Sequence, residues 1–220
     1  MSKYKVCSFD SMNTKKLFIF DLDGTLVDAY TAIEKSMNFT MKKLGQPLVT
    51  YEEVKRKVGR GDKLFMKIFF PEQDIEKALK IYRSHHVKAL LKYAKLRPYA
   101  KRLLYTLKRR RKFLAIASNR HYYFTNIILK KLGIRKYFDT ILCADQIKSL
   151  KPNPRILNMI VKKAGFLKQD ALYIGDMAID AETTERAGID FIFITGGSSN
   201  LSDVKKYKNK KVIYSLRQLL

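Results

Sequence analysis

The chain has 220 residues, 46% of them hydrophobic, which is enough to bury a sizeable core as one domain or one domain with an insertion, and argues against disorder over most of its length. No apolar block approaches the roughly 20 residues that cross a bilayer, and the polar opening stretch, residues 1–16, lacks a secretory pattern, so no membrane partner and a cytoplasmic address are expected. The net charge of +25, from 45 Lys plus Arg against 20 Asp plus Glu, would attract polyanions, phosphorylated metabolites and nucleic acid alike. Its basic residues are spread over almost every predicted helix. The tight clusters, Lys108 to Lys112 and Lys205 to Lys211, hold only Tyr207 as a candidate stacking residue, so solvated helix faces are favoured over a nucleic-acid partner. Cys7 and Cys143 belong to no metal-spacing motif, and Cys143 reads as a small core residue.

In chain order, Lys16 to Phe20 reads as a strand. No strand-like block follows until Leu96. Instead four helices are predicted, over 31–44, 51–58, 63–69 and 75–93, broken at Gly45 to Pro47, Gly59 to Gly61 and Pro71. Strands then recur at Phe113 to Ala117, Thr140 to Ala144, Ala171 to Ile174 and Phe191 to Ile194, with Lys211 to Tyr214 as a candidate last one. Helices over 122–132, 154–164 and 178–187 lie between them, and each is followed by a glycine suited to a left-handed cap: Gly133, Gly165 and Gly188. Apolar strands alternating with glycine-stopped helices predict an α/β fold, a doubly wound, Rossmann-like parallel sheet covered on both faces. The four early helices predict an inserted α-helical cap over 29–96, with the core formed by 1–28 and 97–220 and the two junctions close together on one rim.

Four polar clusters stand at predicted strand ends, where an open α/β sheet builds its site. Asp21 and Asp23 are two apart, so an extended segment points both carboxylates the same way. Such a pair implies either metal binding or a division of roles in which one stays ionised and the other carries a proton. Gly24 permits a sharp turn that brings N–H groups towards an anion, and Thr25 adds a hydroxyl. Ser118 and Lys151 supply a donor and a fixed positive charge for phosphoryl oxygens, with Pro152-Asn153-Pro154 fixing the loop after Lys151. Asp176 and Asp180, four apart at a helix start, add oxygen ligands that suit Mg²⁺ better than zinc.

Asp21-Leu22-Asp23-Gly24-Thr25-Leu26-Val27-Asp28, Ser118, Lys151-Pro152-Asn153-Pro154 and Gly175-Asp176 with Asp180 together resemble the four motifs of the haloacid dehalogenase superfamily. The helical insertion is similar to the cap of its phosphoglycolate phosphatase-like branch. The resemblance implies a hydrolase of phosphate monoesters in which Asp21 forms an aspartyl-phosphate and Asp23 acts as general acid and then base. It further implies that Mg²⁺ is held by Asp21, the backbone carbonyl of Asp23 and Asp176, with Asp180 in support, and that Ser118 and Lys151 bind the transferring phosphoryl group. An acid at position 23 favours phosphate over halide chemistry. Arg60, flanked by Gly59 and Gly61, is a candidate clamp for a second anionic group of a small phosphorylated metabolite, and Asn119 and Arg120 border the leaving group. His85, His86 and His121 are given no role. Sugar-phosphate mutases of the β-phosphoglucomutase kind share the four motifs and are the alternative, followed by a non-catalytic basic binding module. Substrate and oligomeric state are not set by the sequence.

Overall fold

The computed structural model describes residues 14–207 and 210–220; Cys7 and most of the polar opening stretch lie outside them. The chain enters through β1 (Leu17–Phe20) and a two-residue β2 (Val27–Asp28). Helices α1 (Tyr30–Lys43), α2 (Tyr51–Lys57), α3 (Asp62–Lys67) and α4 (Ile75–Tyr93) follow, and the chain returns through β3 (Lys95–Leu96). Strand and helix then alternate: α5 (Ala100–Arg109), β4 (Phe113–Ser118), α6 (Tyr122–Lys131), β5 (Thr140–Cys143), α7 (Ala144–Ile147), α8 (Arg155–Ala164), β6 (Ala171–Gly175), α9 (Ala178–Ala187), β7 (Asp190–Ile194), α10 (Leu201–Val204) and β8 (Lys210–Ile213).

Six strands pair in parallel in the order β5-β4-β1-β6-β7-β8. Successive strand residues face opposite sides, so one strand feeds two cores. Phe18, Phe20, Leu114, Ile116, Leu172 and Ile174 pack under Leu103, Leu104 and Leu107 of α5 and Ile128 and Leu129 of α6. Leu17, Ile19, Ala115, Ala117, Ala171 and Tyr173 face Ile156, Leu157 and Ile160 of α8 and Ala181 of α9. Each buried Leu, Ile or Phe contributes about 1.5–3 kcal/mol relative to exposure, which is why both faces of this sheet are covered. The helix-stopping glycines act as expected: Gly165 and Gly188 take φ of +72° and +68°, and their N–H groups bond back into the last turn. Cys143 is a buried free thiol whose ionisation is pushed up to about 12, chiefly by burial.

Helices α1 to α4 carry a separate apolar cluster, including Ile33, Met37, Val54, Phe65, Met66, Ile75 and Tyr82. The expectation of no strand before Leu96 needs correction. Val27 pairs with Leu96 and Asp28 with Lys95 in a short antiparallel ladder that holds both junctions together; two residues are too few to show a period. Tyr207 also differs from expectation: it is buried against the second core and does not stand free among the lysines as a stacking residue. Among the described residues no helix is long and apolar enough to cross a membrane.

Candidate active site

From β1 the chain passes to β4 and β5 on one side, and from β6 to β7 and β8 on the other, so the topological switch lies between β1 and β6. The crevice beyond such a switch is where open α/β sheets bind ligands. Asp21 leaves β1 there, its N–H bonded to the Ile174 carbonyl of β6 at 2.9 Å, and Asp176 leaves β6 beside it. Ser118 ends β4, and Lys151 enters from the loop before α8.

Lys151 is buried and all three of its N–H bonds have partners: Asp180 Oδ1 at 2.6 Å, Asp21 Oδ1 at 2.8 Å and the Tyr173 hydroxyl at 2.9 Å. Asp176 accepts from Thr25 Oγ1 at 2.8 Å, Ser198 N at 2.8 Å and the Tyr30 hydroxyl at 3.2 Å. Asp180 also accepts from Met177 N at 3.1 Å, which satisfies an N–H in the first turn of α9. One oxygen from each of Asp21, Asp176 and Asp180 lies within 4.8 Å of the others, and all three residues are buried. Three carboxylates against one ammonium leave the cluster with excess negative charge in a region water barely enters.

The titration directions follow. Burial raises Asp21 well above the carboxylate range; Lys151 opposes the shift, and Asp180 and Asp176 add to it. Asp176 is pushed up to about 6, by burial first and the Asp180 charge second, against the Ser198 N–H and the Thr25 hydroxyl. Burial works against the Lys151 charge, but Asp180 and Asp21 more than offset it and the ammonium is held above its ordinary value. A buried, all-oxygen, negatively charged donor set fits a hard divalent cation, which would balance a charge the protein leaves uncompensated.

Close backbone approach makes this packing possible. A Cβ at Gly24, where φ is +81°, would overlap the Tyr30 hydroxyl and the Asp176 carboxylate; one at Gly197 would overlap Asp176 as well, and one at Gly175 would overlap Asp180. Gly197→Ala should therefore cost about 1–3 kcal/mol by overpacking, read as a lower urea midpoint with an unchanged slope. An unshifted midpoint would show that the Gly196-Gly197 loop gives way freely.

Asp23 lines the same cavity as Asp21 but has a different partner. Arg120 grips its carboxylate with two parallel bonds, Nε to Oδ2 at 2.7 Å and Nη2 to Oδ1 at 2.9 Å. The third guanidinium nitrogen, Nη1, donates to His86 Nε2 at 2.8 Å, and His86 Nδ1 lies 2.9 Å from Ser36 Oγ, which donates to the Ala32 carbonyl at 2.8 Å. Burial, then the Arg120 charge, holds His86 well below its ordinary value, so it is a neutral imidazole with its proton on Nδ1. The expectation that His86 has no role is corrected: it links the inserted helices to the residue pair at the site. A partly open cavity of about 50 Å³ is lined by Asp21, Asp23, Ser118, Arg120, Lys151 and Tyr82 among others.

Four expected substrate contacts are used differently. The Thr25 hydroxyl is committed to Asp176, and the Gly24 N–H closes the turn onto the Val27 carbonyl at 2.7 Å. Asn119 receives the Lys151 N–H at 2.8 Å and donates to the Gly59 carbonyl at 2.8 Å, so its amide fastens two loops and is not directed at a ligand. Arg60 is exposed on an outer groove; its neighbours Gly59 and Gly61 line the cavity but its own side chain does not. Tyr30, Tyr173 and Ser198 were not anticipated. The Gly196-Gly197-Ser198-Ser199 run after β7 is the signal that could have pointed to Ser198, since a glycine-rich loop at a strand's carboxyl end lets backbone approach closely.

Residues 18–194 match the haloacid dehalogenase-like hydrolase family. The chain is 30% identical over 196 residues to a phosphoglycolate phosphatase of Agrobacterium fabrum, covering 86% of this chain and 84% of that one. It is 29% identical over 173 residues to one of Aquifex aeolicus, covering 79% and 81%. The crystal structure of a predicted phosphoglycolate phosphatase from Haemophilus somnus shares the fold at a TM-score of 0.87 and 22% identity, over 92% of this chain and 95% of that one. With a matched segment running from β1 to the end of β7 and carboxylates gathered at the sheet's switch point, the chain belongs to the haloacid dehalogenase-like hydrolases.

Proposed function

We propose that this hydrolase is a Mg²⁺-dependent phosphatase of a small phosphorylated metabolite, working through an aspartyl-phosphate on Asp21. The observation that carries the reading is the placement of Asp21 beside Lys151 at the switch point, within a buried carboxylate cluster that lacks about one divalent cation's worth of charge. Phosphoglycolate is the first substrate to test, because the relatives quoted above carry that name. In this reading residues 29–96 are a cap over a core of 1–28 and 97–220.

Asp21 attacks the phosphorus, the ester P–O bond breaks, and the leaving oxygen takes a proton from Asp23. Water then attacks the phosphorus of the aspartyl-phosphate and gives a proton to Asp23, which releases phosphate and restores Asp21. Lys151 offsets the charge of the phosphoryl oxygens and Ser118 donates to them. Mg²⁺, held by Asp21, the Asp23 backbone carbonyl and Asp176 with Asp180 in support, would supply the positive charge that lets an anionic ester approach anionic carboxylates. Ile33, Val58 and Phe65 give the cavity one apolar side, which limits the approach of water to the ester.

The test is phosphate release from an aryl phosphate and from a metabolite panel with and without Mg²⁺. Turnover that survives a chelator would overturn the metal assignment, and transfer of the phosphoryl group to a second sugar hydroxyl would place the chain among mutases. A second prediction follows from the raised carboxylates. Ionising Asp176 and Asp21 costs the folded state, so the metal-free protein loses stability as pH rises through about 6, and a cation recovers that loss. Mg²⁺ should raise the melting temperature clearly at pH 8 and hardly at pH 5; an increment independent of pH would place the ion elsewhere.

A further inference from the structure

We infer that Arg120 determines specificity by changing partners: the guanidinium fork that holds Asp23 in this structure passes to an anionic group on the substrate's leaving portion, and Asp23 is thereby released. The inference rests on the phosphatase reading above and names the substrate class for it, phosphate monoesters whose leaving group carries a carboxylate or a similar planar anion.

Both Asp23 oxygens accept from Arg120, at 2.7 and 2.9 Å, so the fork fixes the orientation of the carboxylate. As long as the fork stays closed, Asp23 is held against Arg120 and cannot turn freely towards a leaving oxygen. Arg120 in turn is buried, and a buried guanidinium does not part from its counter-ion without a replacement. Among the described residues, the other carboxylates lining the shared cavity are already engaged, Asp21 by Lys151 Nζ at 2.8 Å and Asp62 by Arg83 Nε at 3.2 Å, and Ile33, Phe65 and Tyr82 are apolar or neutral walls. The replacement anion therefore arrives with the substrate.

The site is built for such an exchange. His86 of α4, itself bonded to Ser36 of α1, accepts from Nη1 of the guanidinium, so the group stays in place while its other edge changes partners. Arg120 and Asp23 line the same cavity of about 50 Å³ as Asp21 and Lys151, so a group held by the fork lies beside the phosphoryl site. A planar carboxylate reproduces both bonds of the fork; a hydroxyl cannot.

The experiment compares 2-phosphoglycolate with 2-hydroxyethyl phosphate, which has the same backbone with the carboxylate replaced by an alcohol, on the Mg²⁺-loaded full chain. Wild type should favour the first by at least about tenfold in kcat/KM, since a buried donor left without its acceptor discriminates strongly. Arg120→Lys keeps the charge without the fork and should bring the ratio to within about threefold of unity. His86→Leu should lower the ratio and His86→Gln, which retains an acceptor and a donor, should restore it. Should the Arg120 variant not fold, unmodified protein still decides: glycolate should compete with substrate and ethylene glycol should not. Equal kcat/KM for the two esters with no competition by glycolate overturns the Arg120 assignment, while Mg²⁺-dependent aryl phosphate hydrolysis would leave the phosphatase reading standing. Absence of hydrolysis of every ester overturns both.

Discussion

Asp21→Asn is expected to lower turnover by at least about 10⁴-fold while raising the melting temperature of the metal-free protein. The first effect follows from the role: an amide oxygen is a poor nucleophile and cannot form the acyl-phosphate, so no alternative path is left at the switch point. The second follows from the charge. Asp21 sits with Asp176 and Asp180 in a buried cluster, and its ionised form is disfavoured there even beside Lys151. A raised carboxylate pKa means that the folded state pays for ionisation at neutral pH, so a neutral amide of the same shape relieves it. Phosphate release and thermal unfolding of the same preparation read both effects. Retained turnover would remove Asp21 as nucleophile; lost turnover with a lower melting temperature would mean that the residue serves the fold.

Lys151→Met should do the opposite to stability. Its ammonium is the ion-pair partner of both Asp21 and Asp180, and every one of its N–H bonds is used. Removing one partner of a buried ion pair while leaving the other typically costs about 3–5 kcal/mol, and two carboxylates are stranded here. The loss should shrink as pH falls, because the stranded carboxylates can then take up protons, and added Mg²⁺ should recover part of it. For catalysis, loss of a fixed charge facing the phosphoryl oxygens should cost about 10²–10³ in kcat, the scale of removing one oxyanion donor. Urea unfolding at pH 5 and pH 8 with parallel kinetics makes the comparison. Wild-type stability at pH 8 would show that Lys151 is not the internal counter-ion.

The fold was readable where burial on both faces wrote itself into continuous apolar runs such as Phe18-Ile19-Phe20 and Leu172-Tyr173-Ile174, and where glycines stopped the helices. Asp21, Ser118, Lys151 and Asp176 were readable as a group because each follows or ends a strand region, and strand ends of a parallel sheet converge. What stayed hidden depends on partners far along the chain. Tyr173 reads as one more core aromatic until its hydroxyl meets Lys151 and Asp180. His86 lies on an apolar stripe of α4, and its partner Arg120 is 34 positions away. Thr25 and Asn119 stand near the expected centre, and their bonds to Asp176 and Lys151 were not legible because short polar side chains bond whichever group the tertiary fold presents. Asp23 lines the pocket with Asp21 as the spacing implies, but its pairing with Arg120 spans 97 positions and leaves no local trace.

The ladder of Val27 with Leu96 and Asp28 with Lys95 has a consequence for how such a protein can diversify. It brings the entry and the exit of the inserted helices to one point, and those helices have an apolar cluster of their own. The segment is a cassette whose ends are already joined, so a change in the length of its interior need not part the two places where it meets the sheet. Residues that touch both the segment and the rest of the chain are the ones such a change would disturb: Arg120 with His86, Asn119 with Gly59, Lys131 with Leu90 and Ala94, and Tyr30 with Asp176.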